Sequence, residues 1–190
     1  MSQSQKMRRA LQKYVLPKLL EEGFTGKYPH YKKETENWID LLTFQVNNWG
    51  NSFTVEVSTV FLKPSGRSCN CCGIFAADLR VLENINVWYT DRRYRLKGMF
   101  DGWFYYTDVY SSEVCGEKNR KFTFYNAVSE TRAKTYIPAE NEVLVQKADA
   151  DIYRKICEEV NRQMENAYLW WDAFHKNKKW RMKKIEEANR

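Results

Sequence analysis

From Ser52 to Leu62 the chain alternates strictly. Phe53, Val55, Val57, Thr59 and Phe61 fall on one side, and Thr54, Glu56 and Ser58 on the other. This period of two is the signature of a half-buried strand. A second hydrophobic run, Trp38–Asn48, precedes it across Trp49-Gly50-Asn51, and two such runs joined by a short turn predict an antiparallel hairpin. Upstream, Met7, Leu11, Tyr14, Val15, Leu19 and Leu20 recur at helical spacing and predict a helix over residues 5–22. Pro17 has no amide hydrogen to donate, so that helix should kink or restart there. Gly23 is a natural stop, and Phe24 can fold back onto the apolar stripe. Lys27–Thr35 predicts a short strand leading into the hairpin.

Beyond Leu62 the pattern is broken by Pro64, Gly66 and Gly73. A short helix is expected over Ile74–Leu82, a strand over Asn84–Thr90, irregular chain from Gly98 to Gly102, and strands over Trp103–Val109 and Lys121–Val128. From Asp149 onward, Ile152, Ile156, Val160, Met164, Ala167, Trp171 and Phe174 form a near-continuous helical stripe. That helix is expected to bend near Asn177 and run to about residue 188. The elements predict an α+β fold in a single domain over residues 1–190. Its antiparallel sheet carries the N- and C-terminal helices mainly on one face, and a basic helical extension begins at about residue 176.

Composition adds two things to this picture. The chain of 190 residues is long enough to bury a core without staples, and its 7 Trp, 12 Tyr and 10 Phe are expected mostly to fill that core, while any exposed ones would mark a binding face. The net charge of +7 is concentrated at the ends. Lys6, Arg8, Arg9, Lys13 and Lys18 stand among residues 1–20 without an acid, and residues 176–190 carry seven Lys or Arg against Glu186 and Glu187. Basic ends on a near-neutral body suit nucleic acid, anionic lipid or an acidic protein, and the simpler reading is a pair of solvated helix faces. No apolar run approaches the ~20 residues of a membrane span and none resembles a secretory leader, so no membrane partner is expected. Five cysteines, an odd number, fit reduced thiols and a cytoplasmic location.

Candidate chemistry is sparse. Cys69, Cys71 and Cys72 include a C-x-x-C pair, the arrangement that lowers a thiol pKa or begins a zinc site. A redox role needs a βαβ setting that the hairpin argues against, and zinc needs a further ligand from Cys115, Cys157, His30 or His175. Incidental loop thiols are the simpler reading, with a thiol or zinc protein as a second alternative; no cofactor or catalytic residue is assigned. Phosphate-binding glycine loops and a nucleophile elbow are absent. Neither histidine has a nucleophile near it in sequence. The binding candidates are Arg92, Arg93, Tyr94, Arg95, Trp103, Tyr105 and Trp180, in which cations interleave with rings.

The helix ending LPKLLEEGF (Leu16–Phe24), the aromatic-basic strand Tyr28–Lys33, the runs LLTFQVNN and FTVEVSTVF, and the later DRRYRLKGMFDGWFYYTD together resemble a bacterial family catalogued as domain of unknown function four-three-zero-four. The resemblance covers the first half well and the remainder poorly, without the cysteine cluster or the basic tail. It implies a compact α+β bacterial protein and supplies no activity, cofactor or site residue. The expected function is a non-enzymatic domain that binds a macromolecule, a protein first, in an accessory or immunity-like role. The alternative is a nucleic-acid-binding protein that uses the basic terminal helices.

Overall fold

The computed structural model describes residues 1–48, 50–62, 85–90, 92–98, 102–114, 121–126 and 143–176. The expected N-terminal helix is two: α1 (Gln3–Tyr14) and α2 (Leu16–Glu21), with Pro17 in the first turn of α2, where a missing amide hydrogen leaves no bond unmade. Ser2 caps α1 through the Gln5 amide, and the Gln5 side chain accepts from the Ser2 amide in return. Gly23, at φ +88°, stops α2. Phe24 then donates to the Leu19 carbonyl and buries its ring in the core.

Strands β1 (Thr25–Lys27), β2 (His30–Glu34), β3 (Trp38–Val46) and β4 (Ser52–Phe61) follow as consecutive antiparallel neighbours. The single strand expected over Lys27–Thr35 is thus the second arm of a tight β1–β2 hairpin. In the β3–β4 pair Leu42 lies opposite Val57, Phe44 opposite Val55 and Val46 opposite Phe53, the register that the alternation requires. Two short strands, β5 (Arg93–Arg95) and β6 (Phe104–Tyr105), add to the far edge of β4 and complete six strands. The segment expected as a strand over Asn84–Thr90 instead contains a 3-10 turn at Val87–Tyr89, closed by Asn86, whose side chain accepts from the Trp88 amide. Trp103–Val109 is likewise divided, between β6 and β7 (Val109–Val114). β7 pairs with β8 (Lys121–Asn126) and β9 (Val143–Gln146) in a second, three-stranded antiparallel sheet that the sequence patterns did not suggest. The last helix, α3, runs Ile152–Lys176. The expected helix at Ile74–Leu82 and the continuation of α3 to residue 188 lie outside the described residues.

The N- and C-terminal helices share one face of the large sheet. Met7, Ala10, Leu11 and Leu19 from α1 and α2, and Ile156, Val160, Met164 and Trp171 from α3, pack on Leu42, Phe44, Phe53, Val55 and Val57. The opposite face carries a smaller cluster of Ile39, Leu41 and Val60 under Ile85 and Val87. Consequently β4 is buried along its whole length, where alternation alone predicted a half-buried strand. The reason is local. The chain from residue 85 onward returns across the polar side of β4 and then pairs beside it. Ser58 donates to the Arg92 carbonyl at 2.8 Å, and Thr90, 2.6 Å from the Ser58 hydroxyl, donates to Val87. These groups exchange water for protein partners, which is what permits polar side chains to be buried.

Candidate functional site: the arginine face of the sheet

Residues directly opposite in an antiparallel pair point to the same side, so His30, Thr43, Glu56 and Arg95 form one row across β2, β3, β4 and β5. Lys32, Leu41, Ser58 and Arg93 form the next. Glu56 is the hinge of this arrangement. Its side chain is 5% exposed, and Oε1 accepts from Arg95 Nε (3.1 Å) and Nη2 (2.7 Å), while Oε2 accepts from Arg93 Nη1 (3.3 Å). The two guanidinium side chains remain 43% and 41% exposed. One carboxylate therefore orders two arginines and neutralises one of them. Arg95 also lies over the Trp103 ring, 5.9 Å from its centroid.

The 3-10 turn brings a second element to this side. Val87 is fully buried and anchors the turn on Ile39, Leu41 and Val60. Trp88 and Tyr89, next in sequence, are held outward at 52% and 48% exposure. The Trp88 ring meets His30 edge-on at 5.1 Å, and His30 Nδ1 lies 3.0 Å from the Thr43 hydroxyl. Partial burial lowers the His30 pKa below its usual value, so its neutral form is favoured.

Not all of the sequence candidates come together. Arg93 and Arg95 share Glu56, Trp103 supports Arg95, and Arg92 is exposed beside them. Tyr94 points the other way and stacks on Trp170 of α3 at 6.2 Å. Tyr105 is half-buried in β6, paired with Ser52. Cys69, Cys71, Cys72 and Trp180 lie outside the described residues. Sequence reading passed over Glu56, which looked like one solvated acid in a strand, and Trp88-Tyr89, which looked like the end of one. Only the β4–β5 register, which places Glu56 opposite Arg95, reveals the role of this acid.

A second polar cluster sits on the helix-covered face, where α3 ends. Asp40 Oδ1 accepts from the Thr59 hydroxyl at 2.5 Å and from His175 Nε2 at 2.9 Å, so Nε2 carries the hydrogen. Trp38 stacks on the imidazole at 4.1 Å, and the neighbouring Phe174 stacks between Phe61 (5.6 Å) and Trp170 (4.8 Å). Thr59 Oγ1 and His175 Nε2 also lie 3.4 Å from each other, and both give their hydrogens to Asp40 Oδ1. The geometry is that of a clasp fastening the last turn of α3 to β3 and β4. Among the described residues no three His, Cys, Asp or Glu side chains converge in a way that could hold a metal ion, and no described helix is long and apolar enough to cross a membrane. Cys157 is buried in the core with its thiol pKa pushed up to about 12 by desolvation, which makes it inert.

No curated protein and no solved structure matches the chain. Of the arginine face, His30, Thr43 and Glu56 fall within the residues matched to a protein family, and β5 and the 3-10 turn fall beyond them. Residues 5–65 of the 190, from α1 to just past β4, match the family model described as Domain of unknown function (DUF4304).

Proposed function

We propose that this is a non-enzymatic binding module whose partner is a protein with an acidic surface, engaged through Trp88, Tyr89, Arg92, Arg93 and Arg95. The observation that carries the reading is the Trp88–Tyr89 pair, held out of the core on a turn whose own anchor, Val87, is fully buried. Two adjacent rings kept in water forgo the burial free energy that aromatic residues ordinarily supply, and Trp, Tyr and Arg are the residue types that dominate binding energetics at protein interfaces. Glu56 holds Arg93 and Arg95 in place before any partner arrives, which lowers the ordering cost of association. With one carboxylate for two guanidinium groups, the surface stays cationic and selects an acidic counterpart. The free thiol of Cys157 accords with a reducing, cytoplasmic setting. A small accessory or immunity-like protein acting by occlusion of its target would need nothing more.

The test is affinity capture from the native lysate at low and high salt, identifying proteins and nucleic acids, with wild type beside Trp88→Ala/Tyr89→Ala and Arg92→Glu/Arg93→Glu. A discrete protein should be captured by wild type at both salts and lost with both variants. Retention by both variants would dismiss this surface. Nucleic acid released at high salt would replace the protein reading with the nucleic-acid one.

A further inference from the structure

Beyond β5, Gly98 and Gly102 each lie tightly against a neighbouring part of the chain. Leu96 donates to the Val55 carbonyl at 3.0 Å, so the alternation of β5 continues past its last residue. Tyr94 and Leu96 face the core, while Arg93, Arg95 and Lys97 face the other side. Gly98 then passes against the backbone of Trp103, where a Cβ would stand 2.5 Å from the carbonyl carbon and oxygen. Gly102, at φ +78°, rests on the aliphatic stem of Arg95, where a Cβ would lie 2.9 Å from Cγ. Any larger residue would push Gly98 off the Trp103 backbone or Gly102 off the Arg95 stem. Between them lies an open groove of ≈ 410 Å³ lined by Arg95, Leu96, Lys97, Gly98 and Gly102.

The polar groups in this groove are suited to one kind of ligand. Arg95 is fixed by Glu56, by Gly102 and by the Trp103 ring. Glu56 engages its Nε and Nη2, which leaves three of the five guanidinium hydrogens for another acceptor. Lys97 is exposed and has no ion pair among the described residues. A fixed planar donor beside a mobile ammonium is the pairing that oxyanion recognition uses. A cation would be repelled, and a neutral ligand would leave the Lys97 charge uncompensated.

We infer that this groove is an oxyanion site, taking a carboxylate or phosphate group carried on a side chain of the partner. The inference rests on the proposed binding function for the carrier only; the site itself can be examined with a free anion. The full chain, labelled with nitrogen-15, would be titrated with inorganic phosphate at constant ionic strength against chloride. Saturable shifts are expected at the Gly98 and Gly102 amides and the Trp103 indole. Lys97→Ala and Arg95→Lys should each weaken the response about tenfold, the usual scale of one charge-assisted hydrogen bond, while Lys18→Ala on α2 leaves it unchanged. A flat titration, or equal affinity in wild type and Lys97→Ala, would overturn the site; Lys97 has no packing role, so that variant folds.

Peptides identical but for one phosphoserine, glutamate or serine then separate the sources. Binding of the phosphoserine peptide alone assigns phosphate, and binding of the glutamate peptide as well assigns any oxyanion. Equal binding of the serine peptide would refute oxyanion recognition. Failure of the phosphate titration would leave the capture experiment on Trp88 and Tyr89 standing, so the two readings fail separately.

Discussion

Asp40 and Glu56 are both acids buried in central strands of the same sheet, one on each face, and their surroundings differ in a way that separates structure from recognition. On the helix-covered face, Asp40 is closed in by Thr59, His175 and the stacked Trp38, and its two donors turn toward it and toward each other. On the opposite face, Glu56 is equally buried, yet the arginines it holds extend into solvent with donors to spare. A carboxyl group that exhausts its partners fastens two elements together. One that organises partners without exhausting them prepares a surface. The comparison teaches that burial of a charged residue is not by itself the mark of a site; what its partners still have to offer is.

The sharpest way to break this contrast is at the clasp. Asp40→Ala removes the acceptor of the Thr59 hydroxyl and His175 Nε2, leaving only their long contact with each other, and should cost about 2 kcal/mol in urea unfolding, the usual penalty for buried donors left unmade. A cost near zero would mean that α3 is held by its aromatic contacts alone. Glu56→Ala should cost less, about 1 kcal/mol, because Arg93 and Arg95 can turn to water when released. Its larger consequence should be loss of phosphate affinity as Arg95 becomes mobile. If Glu56→Ala destabilised as much as Asp40→Ala, Glu56 would be a clasp as well.

The smallest effect concerns pH. The folded pKa of His30 lies below its usual value of 6.5 through burial, so the unfolded chain takes up a proton first as pH falls. Stability from this residue is therefore present above about pH 6.5 and lost as pH drops through the folded pKa. His30→Asn should flatten the stability profile across that window, measured by unfolding midpoints at several pH values. An unchanged slope would place the acid sensitivity elsewhere.

Local patterns carried much of the fold because they report on near neighbours. The β3–β4 hairpin, the stop at Gly23 and the stripe of α3 each follow from spacing and backbone preference within one element or across one turn. The Asn84–Thr90 run misled because apolar alternation over a few residues cannot distinguish a strand from a turn that buries one residue and exposes the next two. Of the site, Arg93, Arg95 and Trp103 were legible as a basic, ring-bearing stretch. Tyr94 belonged to the same stretch in sequence but faces α3, since successive residues of a strand point to opposite sides.

The sequence by itself determined the helical ends, the antiparallel hairpin and the placing of both terminal helices on one apolar face, because each apolar periodicity selects a single way to be buried. Tertiary structure alone decided which partners the polar residues found. Asp40 and His175 are 135 positions apart, and Glu56 and Arg95 are 39 apart. No local preference relates such residues; they meet only when strand register and helix docking bring them within hydrogen-bond reach, where desolvation obliges them to pair.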